Sequence, residues 1–210
     1  GRKYYLIAVL VLLECMLPFF LLFEGRRPQA RELVVIAVLC AIGVAGRAVF
    51  YMLPQFKPVL AFTIIAGVAF GAETGFLVGT MTMLASNILF SQGPWTPWQM
   101  FAMGISGFLA GLLFSRGPLS RQKISLCLFG ALAAILIYGG IMNPASALLW
   151  SSSLNWKLLL TYYITGFPMD CIHAAATVFF LWFASEPMLE KLERVKIKYG
   201  LVEYREEQEC

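Results

Sequence analysis

The side chains of this sequence best suited to proton transfer are Asp170 and His173. They stand three residues apart inside an apolar run, so a helix brings them onto one face. A carboxylate and an imidazole can exchange protons with a substrate, but no nucleophile, second acid or cluster of metal ligands accompanies them in the sequence. A lone histidine also offers too few ligands for a metal ion. The pair therefore either makes an internal hydrogen bond, with Arg47 as an ion partner, or contacts a bound molecule.

A second set of side chains is suited to holding a flat molecule. The segment FSQGPWTPWQM, residues 90–100, carries two tryptophans and two prolines without a charge. Tryptophans are common at the membrane interface, but an interface needs no rigid backbone, and Pro94 and Pro97 fix the backbone on either side of Trp95. Ordering a wall in advance lowers the cost of binding a ligand. The segment is therefore predicted to form a stiff aromatic wall of a small-molecule site.

The elements that must position these groups are transmembrane helices. Of the 210 residues, 60% are hydrophobic and 13% are charged, whereas soluble domains are about 45–50% apolar and about 25% charged. A spanning helix needs roughly 20 apolar residues. Seven stretches are predicted to span, near residues 4–23, 33–53, 58–72, 75–91, 99–115, 124–143 and 157–184. The predicted fold class is an all-α integral membrane protein; the net charge of +4 is too small to indicate nucleic-acid binding, and the five cysteines lack metal-binding spacing.

Positive charge is unevenly distributed between alternate connections of the predicted spans. One side receives Arg26, Arg27, Arg31, Arg116, Arg121, Lys123 and the Lys/Arg-rich tail. The other side receives Arg2, Lys3, Lys57 and Lys157. Because cytoplasmic loops are enriched in Lys and Arg, the N-terminus is predicted outside the cell and the C-terminus inside. Three connections then face the exterior, namely residues 51–58, 90–100 and 143–157.

The end of the chain has a different pattern. In SEPMLEKLERVKIKYG, residues 185–200, apolar residues recur at roughly helical spacing opposite lysines and arginines. Ser185 is a favourable N-cap residue, and Pro187 suits a first helical turn. The segment is therefore predicted to be a separate interfacial helix lying against anionic headgroups, with a partner surface as the alternative.

Small residues four apart mark faces where helices approach closely, because helices in lipid associate mainly through packing. The alanines of this kind are Ala37, Ala41 and Ala45. The glycines of this kind are Gly67, Gly71, Gly75, Gly79, Gly107 and Gly111. For Gly107 and Gly111 the predicted role is packing within the chain. Glu14 lies mid-span in the first helix, where a hydrogen bond facing the bundle is the role that the sequence offers it.

The order of several segments resembles the substrate-binding S components of energy-coupling factor (ECF) vitamin transporters. These segments are RELVVIAVLCAIGVAGRAVF, LPQFKPVLAFTIIAGVAFGAETGFLVG, SNILFSQGPWTPWQM and GIMNPAS. The resemblance covers about residues 31–200 and implies a six-helix core at 31–185. Residues 1–30 are then an added transmembrane helix with its cytoplasmic linker, and residues 186–210 a cytoplasmic amphipathic helix and charged tail.

The resemblance also implies partners and a location. The core would bind a vitamin from outside a prokaryotic plasma membrane, then associate with a transmembrane coupling subunit and two cytoplasmic ATPases. The chain has no GxxxxGK[ST] segment, which agrees with ATP hydrolysis in another subunit. By the same resemblance Ala37, Ala41 and Ala45 form the face that docks to the coupling subunit. No metal and no cofactor is expected.

The three outer connections become the substrate site by this resemblance. The predicted substrate-binding residues are Arg47, Tyr51, Asn87, Gln92, Trp95, Trp98, Gln99, Asn143, Trp150, Tyr163, Asp170 and His173. The QGPWTPWQM segment resembles a cobalamin-type subgroup, and a corrin ring would suit several tryptophans and amides. Riboflavin or another flat heterocycle would suit them nearly as well. A rival hypothesis is a small intramembrane enzyme that uses Asp170 and His173 as acid and base, and a further one is an accessory membrane subunit.

Overall fold

Helices account for every long apolar run, because a helix satisfies its own backbone hydrogen bonds where no water is present. The computed structural model describes residues 2–25, 29–115, 117–151 and 154–200, and within them it contains helices and no strand. The helices are α1 (Arg2–Gly25), α2 (Ala30–Val49), α3 (Val59–Phe70), α4 (Ala72–Phe90), α5 (Thr96–Ser115), α6 (Lys123–Trp150) and α7 (Trp156–Tyr199). The predicted all-α fold class is confirmed.

The helices differ in whether their length and composition suit a membrane span. Four helices of the described part, α2, α5, α6 and α7, are long and apolar enough to cross a membrane. Helix α3 has only 12 residues, about 18 Å at about 1.5 Å per residue, against a hydrocarbon core of about 30 Å. It joins α4 through Gly71, whose φ of 98° suits glycine. The predicted spans near 58–72 and 75–91 thus form one broken pair.

Glycines let α3, α4 and α5 approach to backbone contact at the centre of the bundle. A Cβ on Gly67 or Gly75 would collide with the carbonyl oxygen of Gly107, and one on Gly111 would collide with the backbone of Ala72. The predicted internal packing of Gly107 and Gly111 is therefore confirmed. The same approach buries α3 almost completely, with Leu60, Ile64, Ile65 and Val68 fully inside the core.

Helix α1 packs against this core through aromatic side chains. The ring of Phe19 stacks on Phe76 with centroids 4.2 Å apart, and it meets Phe108 edge-on at 5.0 Å. Phe23 joins a buried cluster with residues of α2 and α4. Glu14 lies on the opposite, exposed side of α1, so the predicted hydrogen bond facing the bundle is wrong. Leu12, Met16 and Phe23 take the inward positions of α1, and Glu14 lies on the outer side.

The predicted helix at 185–200 is not a separate element. Helix α7 runs without interruption over 44 residues, with Pro187 inside it and Ser185 fully buried rather than at an N-cap. Met188 and Leu192 pack against the core clusters. The prediction is wrong because apolar packing holds this stretch in line with the span. Ion pairs reinforce it, joining Arg121 to Glu193 and Lys123 to Glu186.

Two of the three predicted outer connections are shorter than expected. Helix α5 begins at Thr96 with Pro97 in its first turn, a favoured position for proline, so Trp98 and Gln99 are helical. Helix α6 continues through Pro144 to Trp150. The connection at 51–58 is irregular, as predicted. Outside the described residues lie Arg26, Arg27, Arg116 and residues 201–210 of the predicted tail.

Candidate functional site

A polar cavity opens where the 50–58 connection meets six helices, α2 to α7. Its volume is about 120 Å³. The cavity is lined by Arg47, Gln55, Lys57, Val59, Met83, Gln99, Met103, Tyr138 and His173. The three apolar members come from α3, α4 and α5, and the polar members come from α2, the connection, α5, α6 and α7. The cavity lies at the C-terminal end of α2, the end that the charge distribution assigns to the exterior.

The connection before α3 holds two polar side chains over the cavity. Gln55 has a φ of 54°, a conformation that is uncommon for residues other than glycine. Backbone bonds from Phe56 to Pro54 (2.7 Å) and from Lys57 to Gln55 (3.0 Å) close the turn, and the Phe56 ring packs 5.5 Å from Phe180. Strain held in this way often accompanies a binding function. Here it keeps the Gln55 and Lys57 side chains at the cavity.

A chain of hydrogen bonds crosses the bundle beside the cavity. The Arg47 guanidinium donates to Ser86 Oγ and to Asn87 Oδ1, both at 2.6 Å. Asn87 Nδ2 donates to Gln99 Oε1 at 2.8 Å, and Gln99 Nε2 donates to the Tyr138 hydroxyl at 3.3 Å. The chain therefore links α2, α4, α5 and α6. Arg47 has no carboxylate partner among the described residues, so the predicted ion pair with Asp170 is wrong.

The two residues suited to proton transfer are separated by the fold. His173 is 4% exposed, lines the cavity, and meets the Tyr138 ring edge-on with centroids 4.6 Å apart. Its Nδ1 atom has no hydrogen-bond partner within the described chain. Asp170 instead accepts a hydrogen bond of 2.8 Å from Asn143 Nδ2, and its carboxylate lies against the backbone of Gly139, where a Cβ would collide with it. This separation weighs against the intramembrane-enzyme hypothesis, because acid and base do not face one cavity.

The electrostatics of the cavity are positive. Arg47 and Lys57 both line it, and none of its described lining residues is an acid. Burial lowers the pKa of Lys57, and the nearby charge of Arg47 lowers it further. Lys57 Nζ is held by the Leu53 carbonyl oxygen at 2.7 Å. A ligand that brings electron-rich atoms would reduce the repulsion between the two cations.

The aromatic residues predicted for the site lie around the cavity rather than in its lining. Trp95 and Trp98 are partly buried near the start of α5, and Trp98 Nε1 is buried without a partner in the described structure. Tyr51 packs against Phe90 at 5.3 Å, and the Tyr163 hydroxyl donates to the Gly140 carbonyl oxygen at 3.0 Å. The fifth predicted aromatic residue, Trp150, is exposed, and so is the predicted amide residue Gln92. Of the predicted substrate-binding residues, Arg47, Gln99 and His173 meet at the cavity, and Asn87 bridges the first two.

Three polar lining residues were not predicted as binding residues. Gln55 and Lys57 belong to the predicted outer connection 51–58, and Lys57 had entered only as a charge. Tyr138 is the one aromatic hydroxyl in the apolar run 124–143. A buried phenol usually needs a hydrogen-bond partner, and this requirement was the signal that could have identified it.

The alanines predicted to dock a partner lie on another surface. Ala37, Ala41 and Ala45 are exposed and line an apolar groove of about 790 Å³, which we call the alanine groove. Its other walls are Phe20 of α1 and residues of α4, among them Leu77 and Met81. The three alanines therefore do not serve packing within the described chain.

Comparison with known proteins finds one matching family model and several curated relatives. A family model described as ECF-type riboflavin transporter, S component, matches residues 28–181. A UPF0397 protein of Aliivibrio fischeri (strain MJ11) is 24% identical over 178 residues, covering 80% of this chain and 93% of the relative. A UPF0397 protein of Vibrio atlanticus (strain LGP32) is 26% identical over 126 residues, covering 57% and 69%. No solved structure matches the chain. The matched region includes the whole cavity and excludes α1.

Proposed function

The chain belongs to the family of S components of ECF-type riboflavin transporters, and from this premise we propose that it captures a heterocyclic micronutrient outside a prokaryotic cell. The family is one of substrate-specific membrane subunits of a transporter rather than of enzymes. In the proposed cycle the loaded protein docks through the alanine groove to a transmembrane coupling subunit. Two ATPase subunits on the cytoplasmic side then drive release of the substrate into the cell.

The observation that carries the proposal is the polar cavity at the predicted outer end of the bundle. Its lining combines two cations, two amides, a phenol and an imidazole above an apolar floor of Val59, Met83 and Met103. Small-molecule sites have this composition, with apolar walls and a few polar groups that fix orientation. The hydrogen-bond chain from Arg47 to Tyr138 holds these groups before any ligand arrives, which lowers the entropy lost on binding.

The size of the cavity favours a flat heterocycle over a corrinoid. A volume of about 120 Å³ is small beside typical ligand pockets of about 300–1,000 Å³, so it takes one ring system rather than a corrin macrocycle. A corrinoid would have to rest outside the cavity against Trp95, Trp98 and the outer connections. We therefore propose that a flat heterocycle, such as that of riboflavin, inserts one or two of its rings into the cavity.

The experiment that tests the function is identification of the compound that purifies with the protein. The full chain is extracted in mild detergent and then denatured, and the released compound is identified by its absorbance and mass. We expect a flat heterocycle that the cell also imports when this chain is produced together with the coupling subunit and ATPases. A corrinoid in the released fraction would overturn the proposed substrate class, and a compound that is chemically converted by the purified chain would overturn the transport function.

A further inference from the structure

We propose that the cavity is a hydrogen-bond donor site whose polarity is set by Arg47, so that the substrate enters with an edge of hydrogen-bond acceptors. The inference rests on the proposed function, because it concerns the substrate of the same cavity. It assigns to Asn87 the role of a positioning residue. Asn87 is fully buried and does not line the cavity, yet it bonds to both Arg47 and Gln99, which do.

The first step follows from the chemistry of the arginine. A guanidinium group carries donors and no acceptor, so the atom of Asn87 that faces Arg47 at 2.6 Å must be the carbonyl oxygen. The amide nitrogen of Asn87 then points the other way, to Thr96 Oγ1 at 3.0 Å and to Gln99 at 2.8 Å. Orientation of an amide is often ambiguous; here the donor-only neighbour decides it.

The second step derives the orientation of Gln99 and Tyr138, which line the cavity, from that of Asn87. Gln99 receives the Asn87 bond on its Oε1 atom, so its nitrogen faces the Tyr138 hydroxyl. That nitrogen has two hydrogens, one for Tyr138 and one for a ligand. The Tyr138 oxygen accepts, and its own proton has no acceptor among the described residues. Both Gln99 and Tyr138, which line the cavity, therefore offer donors to it.

The third step concerns the other polar groups of the lining. The Lys57 ammonium and the Arg47 guanidinium are donors only, and no carboxylate belongs to the described lining. Gln55 and His173 can offer either a donor or an acceptor, so they adapt to the ligand. The groups with fixed polarity are all donors. A ligand that presents only N–H groups would leave them unpaired, and a buried unpaired donor strongly disfavours the complex.

The experiment compares two bicyclic probes of similar size and opposite polarity. Quinoxaline has two ring nitrogens that accept and no N–H, whereas indole has one N–H and no comparable acceptor. Each is titrated calorimetrically into the purified full chain in lipid nanodiscs, with the heat from empty nanodiscs subtracted. We expect quinoxaline to bind at least about tenfold more tightly, which corresponds to the loss of about one hydrogen bond. Equal affinities, or no binding of quinoxaline, would overturn the proposal.

Variants then locate the source of the preference. Gln99→Glu replaces the donor with acceptors, and Asn87→Asp removes the donor that fixes Gln99, so each should lower the quinoxaline-to-indole ratio by about tenfold. A general loss of structure would weaken both probes together and leave the ratio alone. Gln122→Glu makes the same chemical change at the exposed start of α6, away from the cavity, and should keep the parent ratio.

A third variant protects the test against misfolding of the first two. Tyr138→Phe removes one donor hydroxyl and retains the ring, and it should also lower the ratio. A ratio unchanged in every folded cavity variant would overturn the assignment of polarity to this chain of bonds. That result would leave the proposed transport function standing, since the identity of the purified compound tests the function separately.

Discussion

Helix α2 contributes to two sites that are built in opposite ways. One of its faces carries Arg47 into the polar cavity, where hydrogen bonds tie it to α4 and, through Asn87, to α5 and α6. Another face carries Ala37, Ala41 and Ala45 to the alanine groove, which is apolar and exposed. A buried polar group needs hydrogen-bond partners, and several helices supply them at the cavity. The groove needs only small side chains that let another helix approach.

This difference determines how far the effect of a substitution spreads. A change at the cavity alters a network of four helices, because every member orients the next one. A change at the alanine groove alters only the shape of one surface. Substrate binding and assembly should therefore be separable by substitutions on α2 alone, and the largest expected effect belongs to the cavity.

Replacing Arg47 should have the largest effect on substrate binding. Arg47→Met keeps an apolar stem and leaves the Asn87 oxygen and Ser86 without their charged donor. Hydrogen bonds to charged groups contribute about 1.5–3 kcal/mol, so affinity for the compound that purifies with the protein should fall by roughly 100-fold. Equilibrium titration of the purified, folded variant measures this change.

The control for Arg47→Met is Ala41→Leu, on the same helix but in the groove, which should bind the compound as the parent does. A loss of affinity in both variants would mean that the two sites are coupled through α2. Unchanged affinity in Arg47→Met would show that the substrate binds outside the cavity.

The alanine groove should show the reverse behaviour. Ala41→Trp fills the surface where a partner helix would approach, so ATP-driven uptake by the assembled transporter should fall by at least about tenfold while binding by the isolated chain is unchanged. Val38→Trp is the matched control, since Val38 is exposed on α2 but does not line the groove. Uptake measured with labelled substrate in proteoliposomes distinguishes them, and equal loss in both variants would show a general effect of bulk on α2.

The sequence predicted the alanine groove better than it predicted the cavity, and the reason is physical. Spacing along one helix determines which residues share a face, so Ala37, Ala41 and Ala45 could be grouped without tertiary structure. The cavity depends on which faces of six helices meet. Helical neighbours three apart differ by about 60° around the axis, and this angle sends His173 to the cavity and Asp170 to Asn143.

The roles of Gln55 and Tyr138 in the cavity depend on conformation and packing that the sequence does not show. Pro54 and Pro58 marked a turn, but Gln55 adopts its positive φ without being Gly or Asn, so the sequence did not indicate that Gln55 and Lys57 line the cavity. Tyr138 lies in an apolar run whose orientation depends on packing. The extension of α7 was missed for a related reason. Ser185 and Pro187 are common at helix starts, but the helix continues through them and Met188 and Leu192 pack against the core.

The smallest expected effect concerns the tryptophans at the start of α5. Trp98 precedes Gln99 in the first turn and does not line the cavity, so Trp98→Ala should act by loosening the position of Gln99. We expect affinity to fall by roughly threefold, well below the roughly tenfold expected if the ring stacked on the ligand. Trp150→Ala is the control, because Trp150 is 72% exposed at the end of α6 and should leave affinity unchanged. A tenfold loss in Trp98→Ala alone would show that the aromatic wall predicted from residues 90–100 touches the substrate, which would extend the site beyond the cavity.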